Sequence, residues 1–239
     1  TKVSFFAFFH FIFFKLNYYN LYNKNFKMPL PDFLIDRYID WKNNSFKKNK
    51  QLYEKLVTDG QKPKAMVISC CDSRVNISSI FGANIGDFFI HRNIANLVPP
   101  FNPNKDYHGT SAAIEYAIKN LKVPHIIILG HSNCGGIDYG YNSCSGHIKS
   151  NYEFIDQWIE ILKPAFENVE SIKTKEDKIN LLEKESIKNS IKNLVEFPFV
   201  NALIKNGKLN VHGLWFDILT GKLMNLNFNK NKFENIIHE

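Results

Sequence analysis

The sequence predicts an α/β protein: a short, mainly parallel β-sheet flanked by helices, with N-terminal helices before it and a C-terminal hairpin after it. Three observations carry this. Short apolar runs fit for buried strands recur in mid-chain: "KAMVIS" (64–69), "DFFIHR" (87–92) and "HIIILG" (125–130). A helical pattern, "TSAAIEYAIKNL" (110–121), separates the last two and opens on a Thr/Ser cap. The stretch "KLNVHGLWFDILTGKLMNLNF" (208–228) reads as a hairpin turning at Thr220-Gly221.

The N-terminal part needs separate treatment. "VSFFAFFHFIFF" holds about a dozen nearly all-apolar residues, short of the roughly 20 that cross a bilayer. It matches a signal h-region in length, but no small-x-small cleavage site follows. Globular patterning begins after Met28, so residues 1–27 are expected to be upstream sequence or a disordered leader, with membrane association or export as the alternative. Residues 28–239 are then expected to form one domain. "FLIDRYIDWKNNSF" (33–46) and "NKQLYEKLVTDG" (49–60) read as helices, with Gly60 as a stop. Past residue 150, Phe154, Trp158, Ile161, Leu162 and Ala165 share one face at helical spacing. The segment 173–194 reads as a charged helix, or a pair of them, with a solvated face.

With 239 residues, 44% apolar and 22% charged, the chain can bury a full core. Setting aside Lys2, Lys15, Lys24 and Lys27 takes the net charge from +7 to +3, and no basic stripe is interleaved with aromatics. Nucleic acid is therefore not an expected partner, nor is stable membrane insertion of the domain. Four cysteines are too few for a disulfide scaffold in a chain this long; near a His and an Asp they read as metal ligands in a reducing, cytoplasmic setting. Cys144 reads as a small buried hydrophobe.

Chemistry concentrates in "CCDSR" (70–74) and "GHSNCGG" (130–136), each at a strand's carboxyl end, where open α/β sheets keep their ligand crevice. If the chain turns helical after Ile128, His131 and Cys134 share a face at i, i+3. A cysteine from the first cluster completes a Cys2His set, which suits zinc and leaves a fourth position open, as catalytic sites do. If "CCDSR" is extended, alternation puts Cys70, Asp72 and Arg74 on one side and Cys71 on the other. An Asp beside an Arg stays ionised and can only accept hydrogen bonds, so Asp72 could orient a bound water; a structural ion pair is the plainer role. Gly135 and Gly136 leave backbone N–H groups open to a bound anion, or simply make a tight turn. Phe89 and Tyr116 sit in apolar patterns that core packing alone explains.

These motifs resemble the β-class carbonic anhydrases: "CCDSRV" fits C-x-D-S-R, and "HSNCGG" fits H-x-x-C followed by two glycines. "GDFFIHRNIANLVPP", "HGTSAAIEYAIKNLKV" and "VHGLWFDILTGKL" are similar to the blocks around them, and the resemblance spans about residues 31–228. It implies one zinc per chain on Cys70, His131 and Cys134, with Asp72 and Arg74 as catalytic dyad. The implied reaction is reversible hydration of carbon dioxide to bicarbonate and a proton, by zinc-activated hydroxide. Gln61, Phe89 and Tyr116 match the carbon dioxide pocket of the plant-like subgroup. Val67 stands where another subgroup has a Trp, which implies the constitutively open form with Asp72 off the metal. Family members are dimers or multiples of dimers, and some hydrolyse carbonyl sulfide or carbon disulfide. His91 and His108 are candidate proton shuttles by residue type alone.

Overall fold

A computed structural model describes residues 29–103 and 109–237; the proposed leader and His108 lie outside the described residues. The described residues divide into two compact units, the first ending at Lys55 and the second beginning at Leu56. The first holds α1 (Asp32–Trp41), a π-turn (Lys42–Phe46) and the start of α2 (Lys47–Asp59), close to the sequence expectation. Trp41, Phe46 and Tyr53 form an aromatic cluster there, with Trp41–Phe46 and Phe46–Tyr53 centroids 5.4 and 5.1 Å apart. Phe33, Ile35, Tyr38 and Trp41 of α1 are exposed. The α2 helix ends at Gly60, whose φ of +73° is the left-handed stop that glycine allows most readily.

The second unit is built on β1 (Ala65–Cys70), α3 (Ile77–Ile80), β2 (Phe88–Asn93), α4 (Gly109–Glu115), β3 (His125–His131) and α5 (Gly135–Cys144). It continues with α6 (Ile155–Ile159), α7 (Lys163–Glu167), α8 (Lys175–Val195), α9 (Pro198–Lys205), β4 (Asn210–Phe216), β5 (Leu223–Asn227) and β6 (Lys232–Asn235). The sheet order is β2-β1-β3-β4-β5-β6; the first four strands are parallel, and β5 pairs antiparallel with both β4 and β6. The three mid-chain strands begin and end within a residue of their expected limits. The hairpin forms with Gly221 in its turn at φ +72°, and its first strand also joins β3 in parallel. β6 carries none of the apolar run that marks the other strands, and sequence reading leaves it out. No helix among the described residues is long and apolar enough to cross a membrane.

One expectation fails and another describes only half of its helix. The face from Phe154 to Ala165 is not one helix: a 3₁₀ turn at Glu160–Leu162 divides it into α6 and α7. That turn changes the angular step per residue, so Phe154 ends up exposed while Ile159 goes inside with Leu162 and Ala165. The charged segment has its solvated face, with Lys175, Glu176, Asp177 and Lys192 exposed, but its other face is buried. α8 is a single 21-residue helix, capped by Thr174 Oγ1 on the Asp177 N–H, that buries Leu182, Glu183, Ser186, Ile187, Ser190, Ile191 and Leu194. Its polar buried face is spent on backbone: Asn193 donates to the Val98 carbonyl at 2.8 Å, and Ser190 Oγ accepts the Val98 N–H at 3.1 Å.

Candidate metal centre and its surroundings

β1 ends at Cys70 and β3 at His131, two neighbouring parallel strands finishing at the same edge of the sheet. After His131 the chain does not become helical at once. Ser132 and Asn133 form a turn, with Asn133 left-handed at φ +55°, and Cys134 is the N-cap of α5. His131 and Cys134 thus meet across a turn rather than along a helix face, as their spacing had suggested. Cys70 Sγ and Cys134 Sγ are 3.8 Å apart, and with a ring nitrogen of His131 their ligand atoms all lie within 4.8 Å of one another. All three residues are buried.

The geometry fits a metal. Two sulfurs each about 2.3 Å from a tetrahedral zinc stand about 3.8 Å apart, the separation found here. His131 Nδ1 lies 2.9 Å from the Ser132 carbonyl, an acceptor only, so Nδ1 carries the proton. In the neutral ring that leaves Nε2 unprotonated, buried and without a hydrogen-bond partner of good geometry in the protein. An orphaned lone pair in a dry site is costly unless a Lewis acid takes it.

The thiols are prepared as well. Either thiol can donate in the Cys70–Cys134 contact; that contact, the nearby His131 ring and the backbone N–H groups of Asp72 and Ala95 draw the Cys70 thiol down, while the same contact and burial raise Cys134. The N–H groups of Gly136 and Ile137, in the first turn of α5, act on Cys134 in the thiolate's favour. Cys71 is exposed and stands outside this group.

Asp72 and Arg74 lie in a turn, closed by the Val75 N–H on the Asp72 carbonyl at 3.1 Å, and not in an extended run. They pair because Asp72 Oδ1 accepts the Arg74 backbone N–H (2.9 Å) and Nε–H (3.0 Å), and Oδ2 accepts from Nη2 at 2.7 Å. The same Nη2 donates to the Asn133 carbonyl at 2.9 Å, which ties the first motif to the second. Asp72 Oδ2 is 3.9 Å from His131 Nε2. These hydrogen bonds from Arg74 hold the Asp72 carboxyl well below the usual carboxylate range.

Sequence reasoning missed two supporting residues. Arg92, on β2, donates to the carbonyls of Cys70 (2.8 Å), Asp72 (2.6 Å) and Val75 (3.0 Å), and so clamps the whole first motif. Glu183 of α8 accepts the Cys134 N–H at 3.2 Å. Neither spacing nor hydropathy signals them, since both act across long stretches of chain.

Gly135 and Gly136 differ. Nothing would meet a Cβ at Gly135 within 4 Å, whereas one at Gly136 would lie 2.7 Å from Ile94 Cγ2 and 3.1 Å from Ala95 Cβ. Gly136 is thus required by packing. The expected pocket residues lie elsewhere: Phe89 and Tyr116 face each other, centroids 5.9 Å apart, and Gln61 is exposed before β1. Phe89 pairs with Met66, while Cys70 pairs with Asn93, four residues further along. At about 3.3 Å per residue the chain's own metal group is some 13 Å away along the sheet. His91 Nε2 lies 3.0 Å from Thr110 Oγ1, half-buried, a structural engagement.

The carbonic anhydrase family profile matches residues 65–223. Beta carbonic anhydrase 3 of Arabidopsis thaliana is 37% identical over 187 residues, covering 77% of this chain and 72% of the relative. Among solved structures, the β-carbonic anhydrase CcaA superposes with a TM-score of 0.78 at 28% identity, over 87% of this chain and 92% of that one. A tetrameric β-carbonic anhydrase from the filamentous ascomycete Sordaria macrospora gives 0.68 at 32%, over 82% and 96%. Family profile, relative and fold agree, and the chain belongs to the β-class carbonic anhydrases, lyases that act as carbonate dehydratases.

Proposed function

We propose that this chain carries out zinc-dependent, reversible hydration of carbon dioxide to bicarbonate and a proton, with one zinc held by Cys70, His131 and Cys134. The observation that carries the reading is the buried, partnerless Nε2 of His131 beside two sulfurs at zinc spacing. Zinc supplies Lewis acidity that brings a water's pKa from 15.7 toward about 7, the value of the three-histidine carbonic anhydrases, so that hydroxide exists near neutral pH. Two thiolates donate more charge than imidazoles, so activity is expected to rise toward alkaline pH.

Asp72 and Arg74 are the proposed catalytic pair. As an ionised acceptor, Asp72 takes the hydrogen bond of the attacking O–H and so turns its lone pair toward the carbon of the substrate. Arg74 keeps Asp72 charged and in place, and occupies both of its oxygens. This engagement supports the open form, with the carboxylate off the metal. The released proton goes to buffer.

Gln61, Phe89 and Tyr116 are proposed to bind carbon dioxide, and Gly135 to leave room for substrate at the start of α5. Their distance from the chain's own metal group allows the first three that role only toward a second copy, which supports a homodimer or a multiple of it. Exposed Ile90 on the edge strand β2, exposed Tyr116 and the apolar side of α1 all suit such an assembly. Free thiols at the metal group suit a reducing cytoplasm. The test is stopped-flow hydration of carbon dioxide by the zinc-loaded chain at about pH 8.5. A rate no faster than buffer alone overturns the proposal.

A further inference from the structure

Among the described residues Glu183 is the only fully buried carboxylate, 2% exposed, and the proposed reaction leaves it unused. It projects from α8 into the gap between the β3–α5 turn and β4. Its Oε1 accepts the backbone N–H of Cys134 at 3.2 Å, and its Oε2 accepts the indole N–H of Trp215 at 3.1 Å. Trp215 pairs with Gly130, next to His131, so one donor belongs to Cys134 itself and the other to the strand beside β3. Neither donor can accept. A carboxylate satisfies both at once, whereas an amide has one oxygen and must turn its NH2 toward the other donor.

The Cys134 N–H is no incidental partner. Cys134 is the N-cap of α5, where the chain has left the strand and the helix has not yet begun. Its backbone there is held by this one bond from outside and by the Asp138 N–H on its carbonyl at 2.9 Å. Backbone orientation at that residue sets where Sγ points, and therefore the 3.8 Å spacing to Cys70.

We propose that Glu183 is a positioning residue of the metal group, fixing the Cys134 backbone, and with it the sulfur, by accepting from two donors that only an acceptor-only side chain can satisfy together. The inference rests on the reading that Cys70, His131 and Cys134 hold zinc. Loss of such supporting partners costs about 10–100-fold in metal affinity elsewhere.

The test compares the full zinc-loaded chain with E183Q, W215F, W215F/E183Q and W215F/E183L. Zinc affinity is read by chelator competition at neutral pH, the sulfur-to-metal absorption band is read after cobalt substitution, and thermal melts check folding. E183Q should bind zinc at least about 10-fold more weakly and shift the cobalt band. With the indole N–H removed, the amide that E183Q introduces can turn its oxygen to the Cys134 N–H. W215F/E183Q should then bind zinc within about threefold of W215F, while W215F/E183L should fall at least about 10-fold below it. Wild-type affinity and band in E183Q overturn the inference, as does a W215F/E183Q variant no better than W215F/E183L. The latter pair decides alone if E183Q does not fold. A wild-type chain that holds no zinc overturns the metal reading itself, and this inference with it.

Discussion

Adding one methyl group at Gly136 separates packing from ligand approach, the two roles that the glycine pair after Cys134 could serve. A Cβ there would stand 2.7 Å from Ile94 Cγ2, 3.1 Å from Ala95 Cβ and 3.2 Å from Ala95 N. Ordinary carbon contacts are about 3.5–4.0 Å, so Ile94 must yield about 1 Å and Ala95 about 0.5 Å. Ile94 is 40% exposed and can rotate, but Ala95 is fully buried in a left-handed turn at φ +63°. Its N–H also serves Cys70, so a shift of Ala95 is felt at the metal group. Overpacking of this kind costs about 1–3 kcal/mol, against a helix-propensity gain for Ala over Gly of at most about 1 kcal/mol. Gly136→Ala should therefore lose about 1–2 kcal/mol net, or roughly 2–8 °C in melting temperature for a chain of this size. Gly135→Ala meets nothing within 4 Å and should be neutral or slightly stabilising. Calorimetry of the two variants beside the wild type, with zinc content measured on each, is the assay. Equal melting temperatures for Gly135→Ala and Gly136→Ala would refute the packing argument.

Cys70→Ser should abolish zinc content, whereas Cys71→Ser, which changes an exposed thiol, should leave it near one per chain by elemental analysis. Asp72→Asn should keep the zinc and reduce kcat/KM by about 10²-fold or more, since the amide cannot accept the nucleophile's proton while facing Arg74; stopped-flow rates within threefold of wild type would count against the dyad. The depressed Asp72 carboxyl also makes a pH prediction. Its stabilising effect is complete above the unfolded value of about 3.9 and is lost as pH falls through the lower folded value. The gap in urea midpoint between wild type and Asp72→Asn should hold steady from about pH 5 to 8 and close in stronger acid; a gap that widens in acid would contradict this.

The parallel core of the sheet and the Cys70, His131 and Cys134 group were legible in the sequence because strand composition and short-range spacing encode them. Cys70 and His131 end strands whose β-branched runs announce them. The local geometry was less legible. Strand alternation separates Cys70 from Cys71 correctly, yet Asp72 and Arg74 come together through a turn that alternation does not describe. Helical spacing brings His131 to Cys134 on paper, but Asn133 in a left-handed conformation does so in the fold. Pairwise spacing is compatible with several backbone paths, and hydrogen bonds to Asn133 and from Arg92 select among them. Charge composition describes only one face of α8. Its lysines and glutamates average to a surface helix, while every third or fourth residue, polar ones included, faces the sheet.

That buried face explains how a carboxylate reaches the Cys134 backbone 49 residues away in sequence. Gly130 and Gly213 lie on neighbouring strands, and a Cβ on either would come within 3.0 Å of Ile187 or Ile191. Two missing side chains let α8 settle directly on the carboxyl half of β3 and β4. Glu183 is one turn before Ile187, on the same helix face, and side chains on a helix lean toward its N-terminus. With Ile187 seated over Gly130, Glu183 is carried past the end of β3, to the level where the chain has turned from His131 into Cys134. The glycine in "GHSNC" thus acts on the site twice. It leaves β3 free of a side chain one residue before His131, and it admits the helix whose carboxylate accepts the Cys134 N–H.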